Sequence, residues 1–370
     1  MAHPESARQA LEIQRELSNT KYACSVLEPL SGGTVNYIFK GLLTQPLEDG
    51  TTEIAIKHGE GFIASNPGFE LTTARCGVEE GCLESMSRLP AVTSGCVSVR
   101  TPKLYHFNQE SNTQIQECFN QSVDLKTYAL RYFSKAGHVS RKSQCLDIGH
   151  GLGAWLRSLH DWVVHPEQSQ LQETAMSNTA LQAVKLKFNY LLLVPTVDRH
   201  PSILEEARGT FEQVEMMGKK ELESPDIQVI HGDFWTGNAL LPDIPLEKGA
   251  QTSIFIVDWE MCQLGVRPLD VGQMIAELYE LFLFKGIEEG KWVIEGFAAG
   301  YGYIDDNFAF RTAIHVGTHL VCWGSRVPGW GSEAQIEQVV ARGRDLIVHA
   351  WHKDRSWFEA GELACLFSRS

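Results

Sequence analysis

The chain has 370 residues, 43% of them apolar, enough for a bilobal enzyme or two to three domains around a sizeable core. Its 32 basic residues stand against 46 acidic ones, a net charge of −14, and no segment supplies the basic stripe that a nucleic-acid backbone requires. Phosphate chemistry on small molecules is not excluded, because a metal and a few local cations can do the neutralising. The N-terminal run has no apolar stretch of signal-peptide length, and no later run reaches the ~20 apolar residues that span a bilayer, so a soluble, cytoplasmic protein without membrane contact is expected. Nine cysteines without C-x-x-C spacing read as buried reduced thiols, not as a disulfide framework or zinc site.

Residues 7–17 place apolar positions on one face of a short amphipathic helix. Residues 22–40 give β-prone runs on both sides of Ser31, Gly32 and Gly33, a glycine pair whose turn either is an ordinary hairpin or brings backbone N–H groups to a phosphate. Glu53–His58 alternates as a strand and ends on Lys57, a position suited to gripping nucleotide phosphates if a following helix supplies an acid to hold it. Residues 71–88 are that helix, with Glu79, Glu80 and Glu84 available and Cys76, Leu83 and Met86 for the buried face. Residues 101–108 and Thr113–Glu117 read as two more strands.

Residues 146–162 form a helix whose Gly149, Gly151 and Gly153 sit within a helical period with no strand before them, so close helix packing is expected in place of a dinucleotide loop. Residues 167–225 are polar and mostly helical, with breaks expected near Pro195 and Pro201, and Phe188, Tyr190 and 191–193 either wall a pocket or pack between helices. His315 and His319 share i, i+4 spacing without the Glu of a zinc hydrolase and read as a packed or substrate-facing helix surface. Residues 292–303 and 312–323 are further helices, and residues 321–333 a Gly- and Trp-rich loop whose Trp323 and Trp330 either stack on a substrate or anchor the core.

The stretch that organises these elements is His231–Leu241, HGDFWTGNALL, with the run IFIVDWE over 254–260. Apolar runs precede and follow the first and precede the second, so Asp233, Asn238 and Asp258 are expected at strand ends around one metal–phosphate site. A hydroxyl attacking phosphorus needs a carboxylate to take its proton, the role that suits Asp233. Magnesium needs hard oxygen ligands, the role that suits Asn238 and Asp258. The D-x-x-x-x-N spacing, with His231 two residues before the Asp, matches the catalytic loop of protein kinases.

With HGD-x-x-x-x-N followed by D-x-E, the chain resembles the aminoglycoside phosphotransferase and choline kinase family, small-molecule kinases on the protein-kinase-like fold. The wording is especially similar to fungal members of the 4-hydroxytryptamine kinase type and, more distantly, to methylthioribose kinase. The resemblance implies an α+β bilobal fold: a small antiparallel-sheet N-lobe over 1–118 and a larger, mainly helical C-lobe over 119–370. It implies ATP and Mg2+ as cofactors and a small, amine-bearing hydroxyl compound as acceptor. By the same resemblance Ser31, Gly32, Gly33 and Asn36 form the nucleotide-covering loop, and Lys57 pairs with Glu79, with Glu84 the alternative. Gln116, Glu117 and Cys118 form the adenine-binding hinge, and Asp270, expected as a helix N-cap, and His231 support the catalytic loop. Trp235, Glu260, Glu277, His319, Trp323 and Trp330 are the candidates for the acceptor pocket. A methylthioribose-type kinase is disfavoured because Asp258–Glu260 reads DWE and not Asp-Pro-Glu. A catalytically silent nucleotide- or partner-binding module is the rival class.

Overall fold

A computed structural model of the chain describes residues 4–30, 34–133 and 141–368. The small lobe is a five-stranded antiparallel sheet: β1 (Cys24–Pro29), β2 (Tyr37–Leu43), β3 (Glu53–His58), β4 (Leu104–Asn108) and β5 (Thr113–Glu117), in the order β1-β2-β3-β5-β4. Strand alternation turns Ile54 and Ile56 to one face, where α1 (Pro4–Leu17) adds Ile13 and Leu17 to a compact core with Phe39 and Ile115. Lys57 therefore faces the other way, out of that core and toward the cleft. The next helix, α2 (Ala74–Met86), buries Val78, Cys82, Leu83 and Met86 in the core of the larger lobe.

The larger lobe is mainly helical, built on α3 (Lys142–Trp162), α4 (Pro268–Lys285), α5 (Glu289–Tyr301), α6 (Asp306–His319) and α7 (Glu333–Trp351). The bilobal α+β architecture expected from the sequence is the one observed. Two of the three glycines of α3, Gly149 and Gly153, lie at close helix packing, as read, whereas Gly151 packs against Val97 of the strand Val97–Arg100. A Cβ at Gly149 would stand 2.1 Å from the carbonyl oxygen of Val293, and one at Gly153 2.1 Å from that of Phe297, both on α5. From the other side Gly296 and Gly300 meet the carbonyls of Leu146 and His150.

Two β-pairings set the functional loops side by side. Gln228–Ile230 pairs antiparallel with Gln263–Gly265, and Ala239–Pro242 pairs with Thr252–Ile256, bringing Ala239 opposite Ile256. The loop from His231 to Asn238 and the loop from Val257 to Cys262 thus begin and end on paired strands. Thr252–Ile256 also pairs in parallel with Val97–Arg100, so a hairpin from early in the chain completes the larger lobe's sheet.

Several boundaries differ from the sequence reading. The strand expected over 101–108 begins at Leu104, after Pro102. The break expected near Pro195 falls at Leu192, between Lys187–Leu191 and Leu193–Val197, and Pro195 lies in the first turn of the new helix, where no backbone donor is needed. Pro201 opens the helix Pro201–Leu204. The helix expected from 312 starts at Asp306, capped by the Asp305 side chain on the Phe308 N–H at 2.8 Å. All nine cysteines are free thiols. Among the described residues no helix is long and apolar enough to cross a membrane.

Candidate active site

Asp270 holds the first loop from below. Its carboxylate accepts the backbone N–H groups of His231 (2.8 Å) and Gly232 (2.9 Å), and His160 links it at 3.2 Å to the Tyr301 hydroxyl. Burial pushes the Asp270 carboxyl up, but His160 and the loop amides outweigh it and keep it below the ordinary carboxylate range. The N-cap expected at Asp270 is not what is seen. Arg267 precedes α4, and Asp270 lies inside its first turn with its side chain spent on another segment. Gly232, at φ +80°, makes the sharp turn, and a Cβ there would stand 2.1 Å from the Met261 carbonyl of the neighbouring loop. His231 is a strut between the loops, with Nε2 3.1 Å from the Val257 carbonyl and its ring 4.4 Å from that of Trp259.

This support leaves Asp233 half-buried with both oxygens engaged by side-chain amides: Oδ1 accepts from Gln273 (2.7 Å) and Oδ2 from Asn238 (3.1 Å). Burial raises its carboxyl above the usual range, and the nearby Lys185 ammonium pulls the other way. Asn238 also gives its amide N–H to the Asp233 carbonyl at 2.9 Å, which leaves its side-chain oxygen as the end free for a cation. Its backbone carbonyl accepts the Val257 N–H at 3.0 Å, placing Asn238 next to Asp258.

Asp258 adopts the left-handed conformation (φ 67°, ψ 66°), which a non-glycine residue occupies only under constraint. The turn delivers its carboxylate to the Lys57 ammonium. Lys57 also contacts Glu79 at 2.6 Å, and Glu260 lies 3.9 Å away. Glu79, and not Glu84, is thus the ion-pair partner, and its second oxygen accepts the Trp259 N–H at 3.2 Å. Burial opposes the Lys57 charge, but the carboxylates of Asp258, Glu79 and Glu260 more than reverse it and raise the ammonium above its usual range. Glu260 belongs to this cluster and not to the one holding Glu277 and His319. Fully buried Arg75 reaches it at 3.2 Å, and Asn36 donates to it at 2.7 Å while accepting from Arg75 at 2.9 Å. Burial and the Asp258 charge push the Glu260 carboxyl up to about 7.

Ser31, Gly32 and Gly33 lie outside the described residues. At the end of β5, Gln116 donates to Gln114 at 2.7 Å, and Glu117 makes a two-armed pair with Arg100, both contacts 2.7 Å. The Cys118 thiol, pushed up to about 11 by burial, lies 3.3 Å from the Asn120 side chain.

Of the acceptor-pocket candidates, Glu277, His319, Trp235 and Trp330 gather around Lys126. Glu277 accepts from Lys126 (3.0 Å) and lies 3.0 Å from His319 Nε2. The Lys126 ammonium stands 4.3 Å from the Trp330 ring and 5.3 Å from the Trp235 ring, and Lys285 is 4.8 Å from Trp330. Trp330, 7% exposed and donating to Glu280 at 2.9 Å, is an anchor whose ring already meets two lysines. Trp323 is 40% exposed, beside Phe188 and His319, with its N–H on Asn189 at 2.8 Å. Tyr190 packs away from it, 2.7 Å from His315, so the two histidines of α6 serve different partners. Arg75, Lys185, Gln273 and Glu280 were not singled out in the sequence. For the last two a signal existed: Asp270, Gln273, Glu277 and Glu280 recur at helical spacing along an otherwise apolar, buried α4.

The comparisons bear on this geometry. The chain is 29% identical to phosphotransferase FrzJ of a Cladobotryum species, over 94% of this chain and 92% of that protein. It is 24% identical to 4-hydroxytryptamine kinase of Psilocybe cyanescens, over 91% and 90%. The chain is a relative of these fungal phosphotransferases and kinases. No protein-family model matches this relative of theirs. In structure it resembles an ethanolamine kinase of Plasmodium vivax (TM-score 0.50, 16% identity, 92% of this chain and 86% of that one), a likeness of fold.

Proposed function

We propose that the chain is a magnesium- and ATP-dependent kinase that phosphorylates a hydroxyl of a small, amine-bearing metabolite. The observation that carries this reading is Asp233. Two amides hold its carboxylate at the mouth of one loop while the paired loop turns Asp258 toward a lysine braced by Glu79. Asp233 would orient the acceptor hydroxyl and take its proton; Lys57 would hold the nucleotide phosphates. The donor set suits Mg2+: Asp258 and the free oxygen of Asn238 are hard ligands, and the carboxylates of Glu79, Asp258 and Glu260 outnumber the cations Lys57 and Arg75 beside them. Bound there, the metal would neutralise phosphate charge. In this reading residues 1–118, apart from the hairpin over 92–100 that joins the larger lobe's sheet, cover the nucleotide, and 119–370 carry the base, the metal ligands and the acceptor pocket. The free thiols go with a cytoplasmic site of action.

Support for an amine is the aromatic and carboxylate surround of Glu277, Glu280 and Trp323, where, among the described residues, the buried Oε1 of Glu280 has no hydrogen-bond partner. It is also the names of the relatives. The test is incubation with Mg–ATP and 4-hydroxytryptamine, ethanolamine or an aminoglycoside, read by a mass gain of one phosphate. Asp233→Asn is expected to lower turnover by about 10²–10⁴ with ATP affinity nearly intact. Asp258→Asn is expected to weaken magnesium-dependent ATP binding. Full turnover by Asp233→Asn would remove the base and the reading with it.

A further inference from the structure

We propose that Lys185 is a positioning residue for Asp233, fixing the carboxylate's orientation through the Gln273 amide; this rests on the kinase reading above. Lys185 is 7% exposed, and among the described residues no carboxylate lies within ion-pair distance of it. Its ammonium donates to Gln273 Oε1, and Gln273 Nε2 donates to Asp233 Oδ1 at 2.7 Å. An ammonium has only donors, so it dictates which end of the amide faces it. The end left for Asp233 is then the N–H, as a carboxylate requires. Without Lys185 the oxygen end of the amide loses its anchor, and the N–H that meets Asp233 is no longer fixed in direction. With Asn238 on Oδ2, the chain pins both oxygens and so the plane of the base.

The lysine's placement is built in. Its helix, Thr179–Leu186, is stapled to the second loop: Asn178 donates to the carbonyls of Glu260 (2.9 Å) and Cys262 (2.8 Å), and Gln182 to that of Leu264 (2.8 Å). Residues 178, 182 and 185 fall on one helical face, so the staple also aims Lys185 at Gln273. For packing alone a methionine would serve, and a buried charge without a carboxylate partner is a poor choice for stability. The groups facing the ammonium are Asp233, Asp270 and Glu277, together with His315 from α6.

The test compares Lys185→Met, Lys185→Arg, Gln273→Leu and the double variant Lys185→Met/Gln273→Leu. ADP release is followed with Mg–ATP and 4-hydroxytryptamine, ethanolamine or water as acceptor, and folding by thermal melting. Lys185→Met is expected to melt no earlier than the parent, to keep its KM for ATP, and to lose about 10–100-fold in kcat. Lys185→Arg, which keeps the donors, is expected to recover most of that loss. The double variant is expected to fall no further than Gln273→Leu alone, because the two residues act as one unit. Unchanged kcat in folded Lys185→Met, multiplicative losses in the double variant, or a loss confined to KM for ATP would overturn the proposal. An inactive Asp233→Asn beside a fully active Lys185→Met sinks this inference alone, whereas a fully active Asp233→Asn sinks the function itself.

Discussion

Glu277 and Glu280 sit less than one helical turn apart on α4 and titrate in opposite directions. Burial works against the charge of both. At Glu277, His319 and Lys126 overcome it and bring the carboxyl down to about 2; at Glu280, burial and the Glu277 charge push it up to about 7. The signs for stability follow. The Glu277 contribution is present above the usual 4.5 and lost as pH falls toward 2. The Glu280 contribution is present below 4.5 and lost as pH rises through about 7, so at pH 8 its ionised form costs about 3 kcal/mol. Glu280→Gln is therefore expected to melt above the parent at pH 8 and to lose that advantage at pH 5. An equal offset at both pH values would count against this assignment. At this scale Lys57, Asp233, Asn238 and Asp258 were legible because each sits in a short motif at the end of an apolar run. Lys185 and Arg75 were not, because their partners are distant in sequence and only packing joins them.

The crossing of α3 and α5 is made backbone to backbone, and it ends where His160 of α3 meets Tyr301 of α5 and hands on to Asp270. Gly153→Val puts a side chain where the nearest neighbour is a carbonyl oxygen that cannot rotate away. It is expected to cost about 3 kcal/mol, read by chemical denaturation. Gly209→Ala, in the helix Arg208–Glu221 with nothing within 4 Å of the added Cβ, is expected to be neutral or to stabilise by up to about 1 kcal/mol. Equal effects from the two would remove the packing argument. The glycine spacing was readable because helix packing has a local period. Asp270 was misread as a cap because a Pro-x-Asp start has the same letters whether the carboxylate turns to its own helix or to a neighbouring loop.

The molecule has two apolar cores of unequal size, and the functional cluster lies on the seam. Lys57 comes from a strand of the smaller core; Glu79 comes from a helix anchored in the larger. A smaller core supplies less burial per residue. Native-state hydrogen exchange is expected to show β1–β3 opening at a lower free energy than α3 and α4. A single exchange free energy across both lobes would show one cooperative unit instead. The two lobes were expected through the family resemblance carried by the HGD-x-x-x-x-N and D-x-E motifs. That Val97–Arg100 pairs with residues 252–255 was not, because a strand carries no local mark of a partner about 150 residues away.

Asp270, Gln273, Glu277 and Glu280 all ride on α4, and a helix is a stiff rod. Gln273 and Glu277 are one turn apart, so the interval from the amide that holds Asp233 to the Glu277 cluster follows helical rise, about 6 Å between residues so spaced. No swing of one lobe over the other can stretch or shorten it. An acceptor that must touch both marks is measured by a ruler cut into the protein: compounds shorter than the gap fall between its graduations, and only a change in the helix itself could reset the scale.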